Sequence, residues 1–166
     1  MKIEDNFLDQ EKFDKLQTVI MGNGFAWFFS SIIDRVGDVD KFQFIHVFYF
    51  VPTPCSQYFE ILNPILEKID PISISRIKAN LLTRTPKIVE SLFHVDMIGM
   101  SEEKLKQWTT SIFYMNTNNG HTEFEDGTKV ECVANRMVTF SSNLKHRGTS
   151  CTDEKTRVVI NFNYFK

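Results

Sequence analysis

Apolar residues recur with helical spacing in two stretches of the first half of the chain. Over residues 8–21, Phe13, Leu16 and Ile20 fall on one face, and Gln10, Glu11, Asp14 and Lys15 on the other. Gly22 and Gly24 then break the pattern. A second stripe, Tyr58, Ile61, Leu62, Ile65, Leu66 and Ile69, follows Pro52 and Pro54. Pro64 lies inside it and lacks a backbone donor, so the helix either kinks there or begins anew at that proline. Asp70-Pro71 closes it.

Elsewhere the period is two, or the apolar run is continuous. Residues 25–31 are rich in aromatics and read as a strand, residues 38–41 are polar and turn-like, and residues 42–50 form a nearly unbroken apolar strand fit for burial on both faces. His46 lies inside that strand and is expected to be a packed, hydrogen-bonded core residue, not a ligand. From residue 72 onward strands dominate: 72–82, 109–116, 122–124, 129–133, 136–140 and 156–165. The polar run 116–120 is a turn, and Asp126-Gly127 predicts a hairpin between strands 122–124 and 129–133. Helices first and many short strands afterwards predict an α+β chain, with helices packed outside an antiparallel barrel or sandwich.

A length of 166 residues, 42% of them hydrophobic and 24% charged, suits a single globular domain spanning 1–166. The 16 Phe residues predict an interior of large side chains. A net charge of -2 with no basic block lacks the overall footprint of a nucleic-acid binder. No apolar run reaches membrane-spanning length, and the first six residues lack the apolar core of a signal peptide. Cys55, Cys132 and Cys151 are odd in number, widely spaced and form no CxxC pair, so reduced thiols in a cytoplasmic protein are expected.

The candidate chemistry begins at His94-Val95-Asp96. Side chains at i and i+2 of an extended backbone leave the same face, so one imidazole and one carboxylate project together. A third ligand from elsewhere would complete a two-histidine, one-carboxylate face with open positions opposite, as suits non-haem Fe(II). His146 follows the strand 136–140, and Arg157 opens the last strand. Arg157 shares its parity with Val159, Asn161 and Asn163, while Val158, Ile160, Phe162 and Tyr164 make the greasier face. An arginine on the polar face of a terminal strand can hold a carboxylate with two parallel bonds. Singly, each residue has a plainer use: Asp96 can cap a turn, His146 can be a surface residue between Lys145 and Arg147, and Arg157 can pair with Asp153 or Glu154.

The ordered set is more specific than its pieces. His94-Val95-Asp96, Tyr114-Met115-Asn116, Gly120-His121-Thr122-Glu123-Phe124, Asn135-Arg136-Met137-Val138-Thr139-Phe140, His146-Arg147-Gly148 and Arg157-Val158-Val159-Ile160-Asn161 together resemble the Fe(II)/2-oxoglutarate-dependent oxygenases. The prolyl 4-hydroxylase-like branch is the most similar, and small members carried by marine bacteriophages are similar as well. The resemblance spans about residues 72–165 and is looser over the N-terminal helices. It implies a double-stranded β-helix, or jelly-roll barrel, with the helices outside. It also implies His94, Asp96 and His146 as catalytic iron ligands and Arg157 as partner of the distal 2-oxoglutarate carboxylate, with Tyr114 hydrogen-bonding that same carboxylate. Three positions depart from the pattern. Val159 stands where Ser or Thr is common, His121 replaces the second glycine of a Gly-Gly turn, and Arg84 sits where related hydroxylases carry a tyrosine.

The resemblance implies a dioxygenase using Fe(II), 2-oxoglutarate and O2, and retention of Asp96 favours hydroxylation over halogenation. Peptidyl proline is the substrate the branch suggests; a peptide or other polymer is the expected partner. A nucleobase substrate for the same chemistry, or a non-catalytic metal-binding jelly roll, are the alternatives. Residues 83–92 and 97–106 flank the metal motif and are polar, so they are expected to form the substrate entrance.

Overall fold

The computed structural model describes residues 1–33 and 41–166; of the turn expected at 38–41, all but Lys41 lies outside the described residues. In chain order the elements are β1 (Lys2–Glu4), α1 (Gln10–Ile20), β2 (Phe28–Ser30), β3 (Gln43–Phe50), β4 (Thr53–Pro54), a 3-10 turn (Phe59–Leu62), α2 (Asn63–Ile69), β5 (Ser73–Thr83), α3 (Glu102–Leu105), β6 (Trp108–Tyr114), β7 (His121–Phe124), β8 (Lys129–Glu131), β9 (Arg136–Ser141), β10 (His146–Gly148) and β11 (Thr156–Phe165). Two antiparallel sheets result. The larger runs β1-β9-β6-β11-β5-β3-β2, with β4 paired to β3, and the smaller runs β10-β7-β8.

The strand β11 lies between β6 and β5, and its parity organises the molecule. Val158, Ile160, Phe162 and Tyr164 join Phe13, Leu16 and Ile20 of α1, Ile65 and Ile69 of α2, Ile77, Ala79 and Phe113 in one apolar cluster. That cluster fixes the helices on the outer face of the large sheet, as the helical stripes require. On the inner face, Val159 meets Ile112, Tyr114, Val138 and Phe140 of the large sheet and Phe124, Val130 and Cys132 from the segments opposite. Arg157, Asn161 and Asn163 are buried on that inner side too.

Pro64 falls in the first turn of α2, so the second helix begins anew there after the 3-10 turn. It ends at Asp70, in the left-handed region at φ 48°, whose N–H bonds Leu66 O at 2.9 Å. The β7–β8 hairpin turns at Gly127, φ 86°, and Asp126 Oδ1 accepts from Thr128 N at 2.9 Å. His46 is buried, with Nδ1 2.6 Å from Ala26 O and Nε2 2.7 Å from Ser56 Oγ, as a core histidine should be.

Four details differ from the sequence reading. Only Phe28–Ser30 of the aromatic run 25–31 pairs as a strand, because Phe25 turns inward to pack on His46, Phe48 and Tyr58. The polar run after Gly99 holds the one-turn helix α3, whose Ser101 Oγ accepts from Lys104 N at 3.4 Å. The short strand β10 carries too few apolar residues to announce itself. On β3, His46 and Phe48 are buried on the helix side, whereas Ile45 and Val47 opposite are only half-buried.

Asn135 ties the N-terminus to this frame. It sits at φ 62°, and its side chain accepts from Leu8 N at 2.9 Å and donates to Leu8 O at 2.8 Å. Asn135→Ala leaves two buried backbone groups without partners and puts a Cβ residue with no local hydrogen bond in a left-handed conformation. We expect a loss of about 2–4 kcal/mol in the urea unfolding free energy. A loss under about 0.5 kcal/mol would show that the N-terminal segment is held by Phe7 and Leu8 packing alone.

Candidate metal centre

The smaller sheet is lengthened by the segment before Asp96. Isolated bridges join Glu90 to Thr149 and His94 to His146, and the latter pair exchange both backbone bonds at 3.0 Å. The two histidines are thus directly cross-strand neighbours, and their rings lie with centroids 5.0 Å apart. Asp96 follows two residues after His94 and reaches toward the inner face of the large sheet. The ligand atoms of His94, Asp96 and His146 all lie within 4.8 Å of one another.

The orientation of each donor is set by a neighbour. His94 Nδ1 is 2.9 Å from Leu92 O, and His146 Nδ1 is 3.2 Å from Leu144 O. An Nδ1 against a carbonyl oxygen carries the proton, which puts the lone pair of each ring on Nε2, the nitrogen that faces Asp96. Asp96 divides its two oxygens. Oδ2 accepts from Asn163 Nδ2 at 3.0 Å and from Asn161 Nδ2 at 3.3 Å. Oδ1 is 3.7 Å from His94 Nε2, 3.9 Å from His146 Nε2 and 3.6 Å from an Arg76 nitrogen. One oxygen is held and the other faces the imidazoles.

Burial alone would raise the Asp96 pKa, but contact with His94, the neighbouring His146, the Arg76 charge and the Asn163 amide outweigh it and hold the carboxyl far below the usual carboxylate range. Burial likewise pushes His146 down, more strongly than Asp96 pulls it up. The set therefore offers an anionic oxygen and a neutral imidazole, the protonation states a divalent cation needs.

A pocket opens beside these residues. Its lining includes Asp96, His94 and His146 together with Asn161, Val159, Ile112, Thr122 and Arg157. Arg157 is buried, with Nε 2.9 Å from Cys132 Sγ and one terminal nitrogen 3.2 Å from Thr122 Oγ1. Burial pushes the Cys132 thiol up, so it meets Arg157 as a neutral group. Among the described residues no carboxylate pairs with Arg157; Asp153, its sequence-adjacent candidate, accepts from Asn119 N at 3.0 Å instead. A buried guanidinium without an anion is the chemistry of an anion site.

Two glycines make room for it. A Cβ on Gly148 would lie 3.3 Å from an Arg157 terminal nitrogen, and one on Gly120 would lie 2.8 Å from Arg157 Cδ and 2.7 Å from Ser150 O. We expect Gly120→Ala to displace Arg157 and so weaken binding of a dicarboxylate in the pocket, alongside an overpacking cost of about 1–3 kcal/mol. Calorimetric titration together with urea unfolding checks it; unchanged affinity would show that the guanidinium keeps its place.

The remaining sequence candidates fall as follows. Tyr114 lies next to Arg157, whose guanidinium carbon is 6.0 Å from its ring centre, but its hydroxyl donates to Thr122 Oγ1 at 2.8 Å and Thr122 lines the pocket in its stead. Arg84 is exposed and outside the pocket. The His121 ring does not line it either, although its carbonyl accepts from Arg157 at 3.4 Å. Of the two flanking segments, Ser91 reaches the pocket and nothing from 97–106 does; Ile33 and Gln43 complete that side. Arg76 and Lys78 of β5 were not singled out from the sequence. The signal was there: in residues 76–80 the charged and polar Arg76, Lys78 and Asn80 alternate with the apolar Ile77 and Ala79.

No protein-family model and no curated protein matches this chain. Solved structures do. A prolyl hydroxylase from Trichoplax adhaerens, in complex with a hypoxia inducible factor oxygen degradation domain peptide fragment, superposes with a TM-score of 0.69 at 13% identity, covering 99% of this chain and 82% of that one. The viral collagen prolyl hydroxylase of Paramecium Bursaria Chlorella virus-1, as its 2OG complex, gives 0.61 at 13% identity, over 99% and 95% of the two chains. The non-heme alpha ketoglutarate dependent epimerase SnoN from nogalamycin biosynthesis gives 0.66 at 9% identity, over 99% and 76%. The fold is therefore the jelly roll of the Fe(II)/2-oxoglutarate oxygenases. Prolyl hydroxylases are among the proteins that share it.

Proposed function

We propose that this chain is a non-haem Fe(II)- and 2-oxoglutarate-dependent dioxygenase that hydroxylates a peptidyl prolyl substrate. The observation that carries the reading is the pairing of two sites in one pocket: a cation-binding set, His94, Asp96 and His146, and a buried arginine, Arg157, with no carboxylate of the protein's own. A diacid that chelates through one end and needs a cation at the other fits that pair. When bound, Fe(II) would activate O2, the oxidant that with 2-oxoglutarate would give carbon dioxide and succinate as a substrate C–H becomes C–OH.

The chain's own residues do the rest. His94, Asp96 and His146 hold the metal on one face. Asn161 and Asn163 keep the Asp96 carboxylate turned so that Oδ1 points inward. Arg157 presents its fork to the far carboxylate, seated by Thr122 and Cys132. Ile112 and Val159 supply apolar lining that disfavours water in the pocket. The prolyl assignment is supported by the prolyl hydroxylases among the structures of this fold, one of them holding a peptide. No helix among the described residues is long and apolar enough to cross a membrane.

The test is succinate release from 2-oxoglutarate with Fe(II) and O2, coupled to a mass-spectrometric search of proline-containing peptide pools for a gain of one oxygen atom. The reading predicts both, and neither with Asp96→Ala. Succinate without oxygenated peptide would retain the dioxygenase and discard the prolyl substrate; no succinate would discard both.

A further inference from the structure

Lys78 sits beside the metal-ligand set on the pocket face of β5, between Arg76 and Asn80 in that strand's alternation. Arg76 is occupied: it lies 3.6 Å from Asp96 Oδ1 and 3.3 Å from Asn163 Oδ1. The Lys78 side chain is half-buried, and its ammonium has no hydrogen-bond or ion-pair partner among the described residues. Directly across the sheet, in register, stands Asn161. Its Nδ2 donates to Asp96 Oδ2 at 3.3 Å, while its buried Oδ1 has no partner among the described residues. In-register side chains of an antiparallel pair have Cβ atoms about 5 Å apart. An unpaired donor that carries charge and an unpaired acceptor thus border one spot on the pocket wall.

A buried acceptor without a partner is costly, and so is a charge drawn partly out of water. Burial pushes Lys78 down to about 8, and Arg76 adds to the fall while Asp96 opposes it, so the ammonium is still mostly charged at neutral pH. The distal anchor does not explain it. Arg157 pairs across the sheet with Leu82, four residues along β5 from Lys78, or about 13 Å of extended strand. An ammonium offers no lone pair to a metal. What remains is the molecule that enters beside the metal.

We propose that Lys78 and Asn161 form a substrate subsite for a carboxylate flanked by an N–H group. The ammonium pairs with the carboxylate, and Asn161 Oδ1 accepts from the N–H. The subsite makes this an oxygenase for acidic substrates. It is open to an acidic residue beside the reacting proline of a peptide and equally to a free amino acid, which share that chemistry. What becomes of the substrate rests on the oxygenase reading above, whereas its capture does not.

The test is calorimetric titration of protein loaded with Mn(II) and 2-oxoglutarate, using two near-isosteric pairs of probes. One pair is N-acetyl-Pro-Asp-amide against N-acetyl-Pro-Asn-amide; the other is L-proline against L-prolinamide. The acid is expected to bind roughly tenfold or more tighter than its amide in one of the pairs, the scale of a charged hydrogen bond. The pair that shows it identifies peptide or free amino acid as the source. Lys78→Met and Lys78→Gln should both erase the preference, and Lys78→Arg should restore part of it. Equal binding of acid and amide in both pairs overturns the proposal, as does a preference that survives in either neutral variant. A comparable loss of 2-oxoglutarate affinity in Lys78→Gln overturns it too, because the lysine would then serve the cosubstrate. Succinate formation is read separately: an intact acid preference without succinate would sink the oxygenase reading and leave the subsite standing.

Discussion

Asp96→Ala should remove tight Fe(II) binding from the purified protein while the chain stays folded. Asp96 Oδ1 is the anionic donor of the set, and the Arg76 nitrogen 3.6 Å away is neutralised by it. With the carboxylate gone, the site presents two imidazoles without an anion and an uncompensated guanidinium, which repels a cation. Changes in partners of metal ligands already cost roughly 10- to 100-fold in affinity, so loss of the charged ligand itself should exceed that. Asp96→Asn keeps the shape and loses the charge, and should fall in between. His94→Ala and His146→Ala remove the two Nε2 donors and should behave like Asp96→Ala. Metal titration of the apoprotein decides it: an unchanged affinity in any of these variants removes that residue from the ligand set.

Arg157→Ala should weaken 2-oxoglutarate binding far more than Fe(II) binding. Removing one side of a buried charge pair costs about 3–5 kcal/mol, which corresponds to roughly two to four decades in dissociation constant. The guanidinium is held by Cys132, Thr122 and the His121 carbonyl, so its fork is preset before any ligand arrives. Arg157→Lys should recover only part, since an ammonium has no fork to offer and cannot use those three supports together. Arg84→Ala should be neutral, because Arg84 is exposed and outside the pocket. Wild-type 2-oxoglutarate affinity in Arg157→Ala would place the anchor elsewhere.

The sequence disclosed most where one physical signal dominated. The stripe Phe13, Leu16, Ile20 and the alternation from Arg157 to Tyr164 each follow a single period, and both elements form where the period puts them. His94 and Asp96 could be placed on one face from spacing alone. Joining them to His146 needed the ordered motif, because the bridge between His94 and His146 is a long-range contact that no local pattern records. Arg76 and Lys78 were passed over for a related reason. A strand rich in charge reads as solvated unless the partner covering it is known, and here that cover is the inner face of the jelly roll. Tyr114 shows the reverse case. Its place beside Arg157 agrees with the motif, yet its hydroxyl is spent on Thr122, a contact fixed by the register of other strands.

One strand supplies both the wall of the hydrophobic interior and the wall of the pocket, with successive residues assigned in turn. A substitution scan along β11 should therefore read as a saw-tooth in two assays run side by side. Melting temperature should drop at Val158, Ile160, Phe162 and Tyr164, and ligand affinity at Arg157, Asn161 and Asn163. Val159, packed between the sheets and facing the pocket, should register in both. Inserting one residue early in the strand would exchange the two sets wholesale and send a guanidinium toward the helices. Variation in this strand can thus retune what the pocket holds without loosening the helical layer, but only in steps that preserve the count.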